Sequence, residues 1–239
     1  MNFYNLYQGD CLDIMPNIKK KSMDLIITDP PYFLPINSYV GTRENGYNKR
    51  SLADTSILKG FFERVFKEFD RIIKDDGSFY VFCDAQSYPI FYNAIYPYCN
   101  HVRLIIWDKL VSYNGYTWRH QHELILWGEK ENTERIPTGE GDIIKYRGVL
   151  QENRLHPAEK PAGLLRILIK KHKDALNILD PFAGSGTTMY ACQDLRRNCV
   201  SIELDENYCE VVKKRCFNRT FLDREVEYDF VHLNGGTQE

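Results

Sequence analysis

From Ile178 to Thr188 the chain reads Ile-Leu-Asp-Pro-Phe-Ala-Gly-Ser-Gly-Thr-Thr: a short apolar run, an acidic residue, a turn with two glycines and the polar start of a helix. A strand that enters a helix through so tight a turn opens a βαβ unit. Such units line up into a mainly parallel, doubly wound sheet with helices on its faces. The rest of the sequence keeps this alternation. Strands are predicted at residues 3 to 9, Met23 to Thr28, Ser78 to Cys83, Val102 to Trp107, Glu123 to Trp127, Leu176 to Leu179 and Cys199 to Ile202. Apolar residues at Phe61, Phe62, Val65, Phe66, Phe69, Ile72 and Ile73 recur at the helical period of about 3.6, which predicts a packed helix from Ile57 to Ile73, followed by a turn at Asp75-Asp76-Gly77. A further helix starts near Pro161, with Leu164 to Ile169 on its buried side, and another runs from about Asp205 to Phe217. Gly235-Gly236-Thr237 is expected to be a frayed tail.

A length of 239 residues suits one large α/β domain and leaves no room for a second of ordinary size, so residues 1–239 are read as a single domain. Two stretches rich in Gly, Asn, Thr and charge, residues 33–55 and 128–155, interrupt the alternation and are candidate recognition loops. The net charge of -2 gives no overall attraction to nucleic acid, so phosphate binding would need local clusters of Lys and Arg. Seven cysteines without a C-x-x-C pair point to reduced thiols. His120 and His122 have no Cys close in sequence, and no metal is expected. With no basic start leading into an apolar run, and no apolar segment of bilayer-spanning length, the chain is expected to be cytoplasmic and neither exported nor membrane-embedded.

The glycine turn lets a ligand approach backbone amides closely, as a nucleotide-type cofactor does. No Lys follows Gly186, which rules out a Walker loop, and Met189 stands where a dinucleotide fingerprint has its third glycine. Glu203 closes the next strand, where a carboxylate can accept both hydroxyl protons of a ribose, so a nucleoside without phosphates fits the pair. A glycine turn alone is equally a structural turn.

Asp29-Pro30-Pro31-Tyr32 is more specific: these four residues in this order arise by chance about once per thousand chains of this length at average usage, and here they follow a strand. An ordinary proline turn would account for Pro30 and Pro31 but not for their neighbours. The exocyclic amine of a nucleobase is a poor nucleophile because its lone pair is delocalised into the ring. An enzyme must therefore supply acceptors that draw it toward tetrahedral geometry, and Asp29 with the Pro30 carbonyl can be those acceptors. Tyr32 offers a flat face on which a base taken out of the duplex can stack.

With these motifs the chain resembles the amino-methylating DNA methyltransferases of bacteria and phages, in the permuted class whose catalytic motif precedes the cofactor motif. The resemblance covers nearly the full length. It includes Gly9-Asp10-Cys11, Asp29 to Tyr32, His156-Pro157-x-x-Lys160-Pro161 and Phe182-Ala183-Gly184-Ser185-Gly186. It implies a Rossmann-like fold with a seven-stranded sheet in permuted order, S-adenosylmethionine as cofactor, and a direct in-line methyl transfer without a metal. Asp10, beside Cys11, would bind the adenine of the cofactor, and Glu203, supported by Asp205, its ribose. Lys160 and Thr187 would bind its methionine end, with Asp29, Asp180 and the turn from Phe182 to Gly186 around it. Without the resemblance, Asp10 reads as a capping carboxylate and Lys160 as a solvated surface charge.

For DNA, the better of the two loops is 33–55, which carries Arg43, Asn45, Tyr47, Asn48, Lys49 and Arg50 directly after Tyr32. Larger family members have a long recognition region, but only residues 128–155 separate Trp127 from His156 here, which raises the need for a homodimer or a partner subunit. The resulting expectation is site-specific methylation of adenine N6 in double-stranded DNA. The alternatives are cytosine N4, an RNA base, a protein amide, or a non-catalytic nucleic-acid-binding regulator.

Overall fold

In the computed structural model, residues 2–32, 55–111, 117–131, 133, 139–150, 152, 154–219 and 226–232 are described. Their elements run β1 (Asn2–Gln8), α1 (Cys11–Ile14), β2 (Met23–Thr28), α2 (Thr55–Ile72), β3 (Ile73–Cys83), α3 (Tyr88–Ile95), β4 (His101–Asp108), β5 (His122–Glu129), β6 (Ile143–Lys145), α4 (Ala162–Lys170), β7 (Asn177–Asp180), α5 (Thr187–Asp194), β8 (Asn198–Glu203), α6 (Glu206–Val212) and β9 (Val226–His232). The strands form one sheet in the order β6-β4-β5-β3-β2-β7-β8-β1-β9. Only β5 runs antiparallel to its neighbours. The permutation is visible in the order: β1 pairs with β8, on the side of β8 away from β7.

The sheet separates two apolar layers, and alternation along each strand assigns residues to them. Leu25, Ile27, Tyr80, Phe82 and Ile178 pack with Leu164, Leu165 and Leu168 of α4 and with Met189 and Cys192 of α5. Ile26, Phe79, Val81 and Leu179 pack on the other face with Phe62, Val65, Phe66, Phe69 and Ile72 of α2. Each Phe buried in this way contributes about 1.5–3 kcal/mol relative to exposure.

Several features differ from the sequence reading. The sheet has nine strands among the described residues rather than seven, because β6 and β9 extend its two edges. β9 was not predicted at all; it gains its ladder by lying parallel to β1, a pairing remote in sequence. The turn at Asp75-Asp76-Gly77 is a register irregularity inside β3, where Met23 pairs with Ile73 but Leu25 already pairs with Ser78. Charge pairs Lys21–Asp75 and Lys74–Asp24 flank it. Finally, the 128–155 stretch is not all loop, since it contains β6.

Because β4 is parallel to β2, β7, β8 and β1, the ends of these strands share one edge of the sheet. Asp10, Asp29, Asp180 and Glu203 therefore meet there, as does the β4–β5 connection that begins at Lys109. In open α/β sheets this edge is where ligands bind.

Candidate active site

The glycine turn is organised around a buried carboxylate. Asp180 Oδ1 accepts from the Thr28 hydroxyl (3.1 Å) and the Phe182 N–H (3.1 Å), and Oδ2 from the Thr188 hydroxyl (2.5 Å). Burial pushes this carboxyl up to about 7. The chain can then turn because Gly184 and Gly186 adopt φ of +53° and +73°, a region that costs other residues strain. At Gly186 a Cβ would also stand 2.9 Å from a Val212 methyl, so glycine there serves close packing as well as the turn. Arg215, in the helical turn Lys213–Phe217 after α6, reaches the same segment: Nη1 lies 3.2 Å from each of the Ser185 carbonyl, the Ser185 hydroxyl and the Thr187 hydroxyl. Glu159 holds that guanidinium at 2.8 Å.

Next to the turn, Glu203 accepts the Gly184 N–H on Oε2 (2.7 Å) and the Asp205 N–H on Oε1 (2.9 Å). Burial raises its pKa. A carboxylate has about four acceptor positions, so each oxygen can also take a ribose hydroxyl. The Glu203 carbonyl accepts the Gly9 N–H at 2.9 Å, which brings Asp10 beside it. Asp10 and Asp205 both act as helix caps, through Oδ1, to the N–H of Leu12 and of Asn207 respectively, each at 2.8 Å. The capping role of Asp10 is thus present in the structure. The Cys11 side chain is buried, and burial raises its thiol pKa well above the ordinary value.

The catalytic-motif carboxylate sits in a charged cluster. Asp29 Oδ1 accepts the Tyr32 hydroxyl at 2.6 Å, and Oδ2 takes the Lys160 ammonium at 2.5 Å. Lys160 is only 6% exposed, which overturns its reading as a solvated surface charge. Its Nζ lies 3.1 Å from Glu123 Oε2 and 3.3 Å from the Tyr32 hydroxyl. Glu123 Oε1 in turn accepts Lys109 Nζ at 2.5 Å. Burial alone would lower the pKa of Lys160, but Asp29 and then Glu123 overrule it and hold the ammonium above its ordinary value. Burial would likewise raise Glu123, and Lys160 and Lys109 bring it below the ordinary carboxylate range. Resemblance assigned Lys160 to the methionine end of the cofactor; here its ammonium is engaged by the two carboxylates.

A cleft joins the two groups, lined by Asp29, Lys160, Asp180, Phe182, Ala183, Gly184, Ser185 and Thr187 among others. Asp10, Cys11, Gly186, Glu203 and Asp205 do not line it but continue along the strand ends. Pro30, Pro31 and Tyr32 follow Asp29, with the Tyr32 ring packed on the core beneath. Arg43, Asn45, Tyr47, Asn48, Lys49 and Arg50 lie outside the described residues, as does the Gly235-Gly236-Thr237 tail. The connection at the same edge presents Trp118, 86% exposed, with exposed Arg119 and His120 after it. Glu123, Lys109, Glu159 and Arg215 were missed by motif reading. Among the described residues no group of three or more His, Cys, Asp and Glu is placed to hold a metal, and no helix is long and apolar enough to cross a membrane.

A model of the N6/N4 methylase family, described as DNA methylase, matches residues 23–214. The chain is 30% identical over 243 residues to a type II methyltransferase, M2.MboI, of Moraxella bovis, covering 89% of this chain and 87% of that one. Among solved structures it is similar to the complex of M1.HpyAVI with S-adenosylmethionine, with a TM-score of 0.68 and 25% identity over 90% of this chain and all of the other. It shares the fold of the cytosine-N4-specific PvuII DNA methyltransferase, with a TM-score of 0.71 and 17% identity over 94% of this chain and 90% of that one.

Proposed function

Because the chain belongs to the N6/N4 family of S-adenosylmethionine-dependent DNA methylases, we propose that it methylates N6 of adenine in duplex DNA at a defined sequence. The observation that carries the choice of reaction is the Asp29 carboxylate, which lines the glycine-turn cleft and is held there by Tyr32 and Lys160. Each of its oxygens accepts one hydrogen bond from the protein and keeps a lone pair with which to accept an amine N–H. S-adenosylmethionine supplies a methyl group on a positively charged sulfur. Asp29 and the Pro30 carbonyl orient the amine and draw its lone pair out of the ring, so that positioning and polarisation provide the catalysis. Glu203 holds the ribose, Asp10 reads the cofactor adenine, and the segment from Phe182 to Thr187 carries the rest.

Adenine is preferred because, in the family the sequence resembles, Asp before two prolines goes mostly with adenine and Ser mostly with cytosine. A carboxylate is also the stronger acceptor. Cytosine N4 is the runner-up, as the same kind of conjugated amine in the major groove. By likeness to relatives named type II methyltransferases, the chain would serve as the modifying member of a restriction-modification pair, as a homodimer or with a partner subunit supplying part of the recognition surface. Sequencing DNA from an expressing host for modified bases tests this: methylated adenine confined to one short sequence motif is expected, and unmodified DNA would count against it.

The loop after Tyr32 is assigned the binding of DNA phosphates. Neutralising Arg43, Lys49 and Arg50 together should weaken DNA binding and flatten its salt dependence by roughly 0.9 in log-log slope for each phosphate no longer neutralised. An unchanged slope in a salt titration would move phosphate binding elsewhere, with the exposed Trp118-Arg119-His120 segment as the next place to look.

A further inference from the structure

The buried cluster behind the Asp-Pro-Pro-Tyr motif contains two charged residues that no motif assigns, Glu123 at the start of β5 and Lys109 just past the end of β4. The Lys109 N–H donates to the Gln121 carbonyl at 2.9 Å, so the hairpin base is closed and the two side chains leave it together. Their carboxylate and ammonium meet at 2.5 Å. The second oxygen of Glu123 reaches Lys160 at 3.1 Å and stands 3.5 Å from the Tyr32 hydroxyl. Lys109, Glu123, Lys160 and Asp29 thus form a chain of alternating charge that ends on the carboxylate facing the cleft, with 16%, 19%, 6% and 20% of their side chains exposed. In so little water, an ion pair keeps its geometry only if its remaining bonding positions are filled.

We propose that Glu123 and Lys109 are positioning residues for methyl transfer: Glu123 gives the Lys160 ammonium a second carboxylate partner besides Asp29, and Lys109 fixes Glu123. The inference rests on Asp29 being the acceptor for the target amine. Asp29 is held by Tyr32 of its own segment and by Lys160, and Lys160 is held by Asp29 and by Glu123, so the cluster joins the segment after β2, the segment before α4 and β5. Without Glu123, Lys160 loses the partner that defines its position across the cluster. Asp29 would then keep its charge partner but not a fixed orientation, and a misplacement of about 1 Å in a reacting geometry can cost roughly 100-fold in rate.

The groups facing Asp29 are Lys160, Tyr32, Glu123, Asp180 and Cys83, and those facing Lys160 are Asp29, Glu123, Tyr32 and His156. Glu123 raises the pKa of both Asp29 and Lys160 through its negative charge. Its removal lets both fall, so the acid and alkaline limbs of the kcat profile should both move to lower pH.

The test is methyl transfer by the full chain with Glu123→Gln, Lys109→Met and the double variant, followed across pH, together with S-adenosylmethionine affinity. The expected result for Glu123→Gln is a kcat lowered roughly 10–100-fold, cofactor affinity close to that of the parent, and a pH profile displaced downward. Lys109→Met should lower kcat by less, and the double variant should fall short of the product of the two single losses, because both act through one ion pair. If Glu123→Gln fails to fold, Lys109→Met decides. A parent-like kcat and pH profile in whichever variant folds would overturn the proposal. Asp29→Asn separates it from the reading beneath: if that variant stays active, the role of Asp29 itself falls, whereas an inactive Asp29→Asn with normal Glu123→Gln removes only the bracing.

Discussion

Replacing Asp29 by alanine should lower turnover by at least about 10²–10³-fold, the scale set by deleting one group that stabilises developing charge in an active site. Cofactor affinity should change far less, because Asp29 is not part of the glycine turn and its carboxylate is engaged by Tyr32 and Lys160. The substitution removes one side of a buried ion pair, a change that ordinarily costs about 3–5 kcal/mol of stability. Here Lys160 retains Glu123 at 3.1 Å, so the ammonium is not orphaned and the fold should survive. Thermal unfolding, cofactor titration and a methyl-transfer assay on the same preparation separate these effects. Near-normal methylation by the folded variant would remove Asp29 from the mechanism.

The second large effect is expected at Glu203. Glu203→Ala deletes a carboxylate proposed to accept ribose hydroxyls, at about 1.5–3 kcal/mol for each charge-assisted hydrogen bond, or roughly a 10- to 100-fold rise in the S-adenosylmethionine dissociation constant per bond. It also releases the N–H groups of Gly184 and Asp205, so the turn loses an anchor. Glu203→Gln keeps an acceptor for these amides and should show a smaller loss. DNA binding should barely change in either variant. Calorimetry giving parent-like cofactor affinity for Glu203→Ala would refute the ribose assignment.

Both predictions concern residues that the sequence displays openly, and the reason is physical. Asp29, Asp180 and Glu203 each follow or end an apolar strand, and in a parallel sheet such ends share one edge. The glycine turn is equally visible, because a positive φ at Gly184 and Gly186 leaves few other residues acceptable. Glu123 and Lys109 were not visible. Their proximity to Lys160 depends on β5 entering antiparallel beside β3, and nothing in the local sequence of the hairpin carries that register. Arg215 belongs to no motif and falls inside the predicted last helix; its contacts with Ser185 and Thr187 are made from the wider helical turn Lys213–Phe217 and are remote in sequence. α3 escaped prediction because Tyr88–Ile95 is mixed aromatic and β-branched, with Pro89 at its start, and its helical state is supported by packing of Phe91 against Phe62 and Phe66. β9 was hidden by its distance from β1 along the chain.

The most direct test of the account is to incubate the purified chain with S-adenosylmethionine and mixed-sequence duplex DNA, digest the DNA to nucleosides and identify the methylated product by mass spectrometry. N6-methyladenine is predicted with the parent chain and should be absent with Asp29→Ala. N4-methylcytosine alone would contradict the base assignment while leaving the cleft and its chemistry in place, and no methylated base in any DNA would contradict the proposed reaction itself.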